Sequence, residues 1–80
     1  MGISYISVPS GTLTAGSTLP LKVVSSKSFR PQTITWYMDG VKIDGDSVTL
    51  TAGKHVIRAK LEYNDSDNTE DKLEVRINVQ

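Results

Sequence analysis

Eighty residues with nine basic and nine acidic side chains and no cysteine make one small domain, with no disulfide, thiolate zinc site or cysteine nucleophile. The absence of net charge argues against a nucleic-acid or anionic-membrane partner, because both need a basic surface to neutralise phosphate. No apolar run is long enough to be inserted across a bilayer, and Met1-Gly2 is not followed by the basic and then apolar pattern of a signal peptide.

In chain order, Ile6 and Val8 alternate with Ser7 before Pro9-Ser10-Gly11 interrupts, which predicts a short first strand that Thr12-Leu13-Thr14 continues. Leu19, Leu21 and Val23 share one face of a second strand, with Pro20 near its beginning or on a free side because proline has no amide to donate to a ladder. Residues 25–32 are a loop by composition. Ile34, Trp36 and Met38 then alternate with Thr35 and Tyr37 and run into Asp39-Gly40, a strong hairpin signal. A two-residue turn sets Met38 opposite Val41, Trp36 opposite Ile43 and Tyr37 opposite Lys42, so the four apolar residues fall on one face. Trp36 is thereby assigned to the core and Tyr37 to the outer surface.

Asp44-Gly45-Asp46 reads as a further turn, and Val48 and Leu50 as a strand ending at Thr51-Ala52-Gly53. The longest alternation sets His55, Ile57, Ala59, Leu61 and Tyr63 against Val56, Arg58, Lys60 and Glu62. A polar loop over 64–71 precedes a last strand with Leu73, Val75, Ile77 and Val79 on one face. Leu13-Thr14-Ala15-Gly16 recurs at Leu50–Gly53, an echo of turn chemistry and not a tandem repeat, since half a sandwich cannot bury a core alone. No window shows helical periodicity. The fold class expected is all-β, an antiparallel immunoglobulin-like β-sandwich of about seven strands, occupying residues 3–80.

His55 is the only histidine, and its phase makes it a core-edge residue bonded to nearby backbone. A catalytic reading would also need an orienting group and an oxyanion site. Together with the missing phosphate loop, this predicts a protein that is not an enzyme and carries no cofactor. Asp65, Asp67, Thr69 and Asp71 follow the opening rhythm of a calcium loop, but the turn glycine and closing glutamate are missing at their spacing, so no metal site is assigned. Alternating strand directions should gather loop 25–32, turn 44–46 and loop 64–71 at one end. Phe29, Arg30, Asp65 and Asp67 are the candidate binding residues there, with Lys27, Asp44 and Asp46 nearby, although Phe29 could equally plug the loop from beneath. Tyr37 is the alternative candidate, for sugar stacking, against the plainer reading of packing beside Lys42. Tyr5 and Tyr63 would join it only if all were exposed on a common face.

The residues Trp36-Tyr37-Met38-Asp39-Gly40, then Leu50-Thr51-Ala52-Gly53-Lys54-His55-Val56-Ile57-Arg58-Ala59, resemble the bacterial immunoglobulin-like domains of secreted and surface proteins. Those carry a W-x-x-D-G strand end and an L-x-x-G-x-H-x-I-x-A passage. The chain departs from them at Asp67, where the family often has glycine. PKD-type and fibronectin type III-like modules share much of the pattern. The resemblance covers nearly the whole chain and implies a spacer, adhesion or accessory domain without catalysis, at the cell surface or outside the cell. Residues 3–80 would then be one domain of a longer exported protein, with neighbouring domains of the same chain, another protein or a glycan as partners. A monomer is expected. In the family, a histidine at position 55 ties down the preceding turn. A small carbohydrate-binding module and a weak calcium-dependent adhesion repeat are the alternatives.

Overall fold

The computed structural model describes residues 4–25 and 30–80, and every strand pair in it is antiparallel. The centre is the hairpin of β4 (Thr33–Met38) and β5 (Val41–Ile43). Its register is Trp36 to Ile43, Tyr37 to Lys42 and Met38 to Val41, as the alternation predicts. Asp39 and Gly40 have φ values of 51° and 85°, the doubly positive turn that follows the right-handed twist of flanking strands. Glycine takes that conformation without strain, and aspartate is among the residues that tolerate it.

β7 (Gly53–Glu62) pairs with β4 on one side and with β8 (Glu70–Val79) on the other. The result is a four-stranded sheet ordered β5-β4-β7-β8. The second layer is built from β1 (Ser4–Ile6), β2 (Thr18–Pro20), β3 (Val23–Ser25) and β6 (Ser47–Thr49). β1 pairs with β3 and β2 with β6. Residues 18–25 are thus one segment whose first half bonds to β6 and whose second half bonds to β1. At the changeover, the Leu21 amide donates to the Asp46 carbonyl (2.7 Å) and the Ser7 amide to the Lys22 carbonyl (2.8 Å).

These findings correct three expectations. The single strand through Leu19, Leu21 and Val23 is two strands with different partners, so the described residues hold eight strands. Pro20 is the last residue of β2, and its missing amide falls on the side away from β6, since the Leu21 amide bonds Asp46, which is the free-side placement expected. Thr12-Leu13-Thr14 does not extend the first strand; Leu13 makes an isolated parallel bridge to Val79. The last strand begins at Glu70, because the β7–β8 ladder persists until the Tyr63 amide meets the Thr69 carbonyl (2.9 Å).

The core lies between the layers. Ile6, Leu19, Leu21 and Leu50 enter from one side, and Trp36, Ile57, Ala59, Leu61, Tyr63, Ile77 and Val79 from the other. Ile57 and Leu61 are fully enclosed, because β7 is central in its sheet and its odd-numbered side chains all face the second layer. Cover thins towards β5, where Val41 is 68% exposed and Ile34, beyond the reach of the short β5, is 39% exposed. The apolar face assigned to β4 and β5 is therefore real, but only its Trp36 row is well buried.

Candidate functional site

At the Asp39-Gly40 end, one residue, Asp39, gathers three interactions, two of them through its carboxylate. The Asp39 amide donates to the Val56 carbonyl (2.9 Å), and Asp39 Oδ1 accepts from the Val56 amide (2.9 Å). The side chain thus prolongs the β4–β7 ladder into the turn. Asp39 Oδ2 lies 2.6 Å from His55 Nδ1. The other ring nitrogen, Nε2, lies 2.8 Å from the Thr51 carbonyl and 3.2 Å from Thr51 Oγ1.

Aspartate, histidine and a hydroxyl in line have the outline of a nucleophilic triad, but the partners decide against that chemistry. A carbonyl oxygen only accepts, so Nε2 must carry a proton, and Nδ1 donates to the carboxylate. With both nitrogens donating, the ring is an imidazolium and has no lone pair with which to take a proton from Thr51. The hydrogen bond from Asp39, then that from Thr51, raises the His55 pKa above its ordinary 6.5. The His55 bond, followed by the Val56 amide, lowers that of Asp39 below 3.8. The arrangement pins the β4–β5 turn to the start of β7. The backbone bond to His55 is the one its phase predicts; the Asp39 partnership is not visible in either motif alone.

The opposite end carries the loop candidates. Arg30, Gln32, Tyr63, Asn64 and Asp65 line a concavity of about 360 Å³. Arg30 and Asp65 are brought together there as anticipated. Asp67 is exposed and is not part of that lining, and Phe29, like Lys27, lies outside the described residues. Asp65 is engaged internally: Oδ1 accepts the Thr69 amide (2.8 Å) and Oδ2 the Thr69 hydroxyl (2.6 Å). These bonds hold its pKa below the ordinary carboxylate value. Asn68, with φ of 50°, turns the loop back, and its amide donates to the Asp65 carbonyl (3.2 Å). Asp71 accepts from the Tyr63 hydroxyl (3.3 Å). The alternate carboxylates therefore shape the hairpin end instead of converging, and no group of metal-ligating side chains is found among the described residues.

The outer face of the four-stranded sheet holds Tyr37, flanked by Lys42 on β5 and Arg58 on β7. Tyr37 is half-buried and lines a concavity of about 280 Å³ with Arg58, Lys60, Lys72 and Leu73. Across this face run Arg58–Glu74 (2.9 Å), Arg76–Glu74 (3.6 Å) and Lys60–Glu70 (3.4 Å) ion pairs. The tyrosines do not form a shared platform. Tyr5 is exposed on the other layer, and Tyr63, at 4% exposure, is in the core. Its ring packs inward because position 63 continues the odd-numbered phase of β7.

In comparisons with known proteins, no family model, curated protein or solved structure matches this chain.

Proposed function

We propose that the chain is an immunoglobulin-like spacer or interaction module of a bacterial secreted or cell-surface protein, without catalytic activity. The observation that carries this reading is the path of the chain through the body, which measures 43 × 23 × 16 Å. Ser4 pairs with Ser25. Gln80 donates its amide to the Leu13 carbonyl (2.8 Å), beside the start of β7. Ser4 is half-buried and Gln80 exposed on this elongated body, which suits a module strung in line with neighbours. Arg30 and Asp65, which line one concavity, and the exposed Asp67 are the residues offered to a neighbouring domain. The side chains with catalytic potential at the Asp39-Gly40 end, Asp39, His55 and Thr51, support the same reading, being engaged in fastening a turn.

A second reading, a small carbohydrate-binding module, is favoured by one observation: a half-exposed Tyr37 in a concavity lined with cationic donors. Sugars are held by an aromatic face together with convergent polar groups. Two-dimensional NMR of the chain, titrated with a panel of oligosaccharides, separates the two. The spacer reading expects no resonance to move. Saturable shifts at Tyr37, Arg58 and Lys72 would replace it with the carbohydrate reading.

A further inference from the structure

The outer face of the four-stranded sheet concentrates positive charge that the chain as a whole does not have. Lys42, Lys54, Arg58, Lys60, Lys72 and Arg76 project from it, all in phase with Tyr37 through the β4–β5, β4–β7 and β7–β8 registers. Among the described residues, only Glu62, Glu70 and Glu74 oppose them on that face. Other carboxylates, Asp44, Asp46, Asp65 and Asp67 among them, stand in turns and loops. Net neutrality is thus the sum of a basic face and acidic connections.

The charge is least balanced beside Tyr37. The Val56 and Glu62 carbonyls accept from Asp39 (2.9 Å) and Gln32 (2.7 Å) on the β4 side, so the even-numbered peptide groups of β7 face β4 and not β8. Lys60 and Lys72, directly opposed, are therefore a non-hydrogen-bonded pair, with Cα atoms only about 4.5 Å apart. Like charges placed in that way repel. Glu70 answers Lys60 (3.4 Å), but Lys72 is exposed and has no ion-pair partner among the described residues. Arg58 spends its Nε on Glu74 (2.9 Å), and a guanidinium has four more N–H donors.

Arg58, Lys60, Lys72 and Tyr37 share the concavity of about 280 Å³, and no carboxylate is in its lining. Building on the carbohydrate reading of Tyr37, we propose that this concavity takes an anionic oligosaccharide, with a sugar ring against Tyr37 and ring carboxylates on Lys72 and Arg58. Such a ligand gives Lys72 the counter-charge that the chain does not supply, and it relieves the Lys60–Lys72 repulsion at the same time. Charge is what the carbohydrate reading lacked: an aromatic ring with polar neighbours suits many sugars, whereas three cations in one lining select an acidic one. A nucleic acid fits this face less well. Single strands stack successive bases on several aromatic rings, and Tyr37 is the one aromatic here among the described residues. Glu62, Glu70 and Glu74 also interrupt any run of phosphate contacts.

The test is two-dimensional NMR of the chain at low ionic strength, titrated with hexagalacturonate and with its full methyl ester, which keeps ring and length but removes the charge. A single-stranded oligodeoxynucleotide of equal charge is the third probe. Hexagalacturonate should give saturable shifts at the amides of Tyr37, Arg58 and Lys72, and the ester should bind at least about tenfold more weakly. Lys72→Gln should weaken hexagalacturonate binding by about five- to tenfold. Lys22→Gln, which removes the same charge from an exposed position in the second layer, should leave it unchanged. Circular dichroism confirms that both variants are folded. An equal loss in the two variants, or an oligonucleotide that binds the same amides as tightly as hexagalacturonate, overturns the proposal in favour of unspecific charge attraction. An ester that binds as well as the acid overturns the acidic ligand and leaves the carbohydrate reading standing. No shift with either sugar at about 10 mM overturns both.

Discussion

Replacing Trp36 by alanine removes the largest side chain of the core, and its cost can be worked from the structure. Trp36 is 6% exposed and sits among residues of both layers. A tryptophan so enclosed withdraws roughly 200 Å² from water, about 5 kcal/mol at ~25 cal/mol/Å². The unfolded chain already hides some of that surface, which trims the figure by about 10–40%. The void left in the core adds to the cost, giving about 3–5 kcal/mol. An 80-residue chain has about 4–12 kcal/mol of stability in all, so Trp36→Ala could be unfolded at room temperature. Trp36→Phe keeps an aromatic ring in the site and should cost about 1–2 kcal/mol, lowering the melting temperature by about 5–15 °C. Urea unfolding followed by circular dichroism measures both variants. A folded Trp36→Ala protein destabilised by less than about 1 kcal/mol, the range of surface substitutions, would refute the placement of the core between these layers.

The His55–Asp39 pair predicts a pH signature. The raised His55 pKa gives stability that is complete below 6.5 and lost as pH climbs through the folded-state value above it. The lowered Asp39 pKa gives stability present above 3.8 and lost as pH falls through the folded-state value below it. The stability difference between the native chain and His55→Gln should therefore peak between those limits and decline on both sides; a difference flat with pH contradicts the imidazolium. Gly40→Ala places a side chain at φ of 85° with open space around its Cβ, so backbone strain alone should cost about 1–2 kcal/mol in urea unfolding. Because Thr69 occupies both oxygens of Asp65, calcium at about 10 mM, above the range of weak extracellular sites, should leave the melting temperature unchanged. A calcium-dependent rise would mean that the loop rearranges to bind.

The legible part of the fold was the part in which one local pattern determines both face and partner. Asp39-Gly40 fixes its own register, so the pairing of Trp36 with Ile43 follows from turn length alone. The split of residues 18–25 leaves no such mark. Leu19 and Leu21 are buried and Val23 half-buried, so the alternation continues unbroken across the changeover from β6 to β1. Alternation reports which face is covered, not which neighbour bonds the edge. The Asp39–His55 link was hidden for a related reason. The two residues stand 16 positions apart and meet only through the β4–β7 pairing, a long-range register that neither turn signal contains. Had that pairing been known, extending Met38 to Ile57 by one step would have set Asp39 against Val56, beside His55.

At both ends of β7 the polar chemistry is spent on closing hairpins. Asp39 and His55 secure one end; Asp65 with Thr69, and Tyr63 with Asp71, secure the other. Each uses a short-range carboxylate bond where the ladder runs out and backbone groups would otherwise lack partners. The exposed ion pairs of the outer face contribute little to stability individually, but they counter a conflict in the ladder. Lys60 directly opposes Lys72, and Glu62 opposes Glu70, and the diagonal Lys60–Glu70 bridge offsets both repulsions.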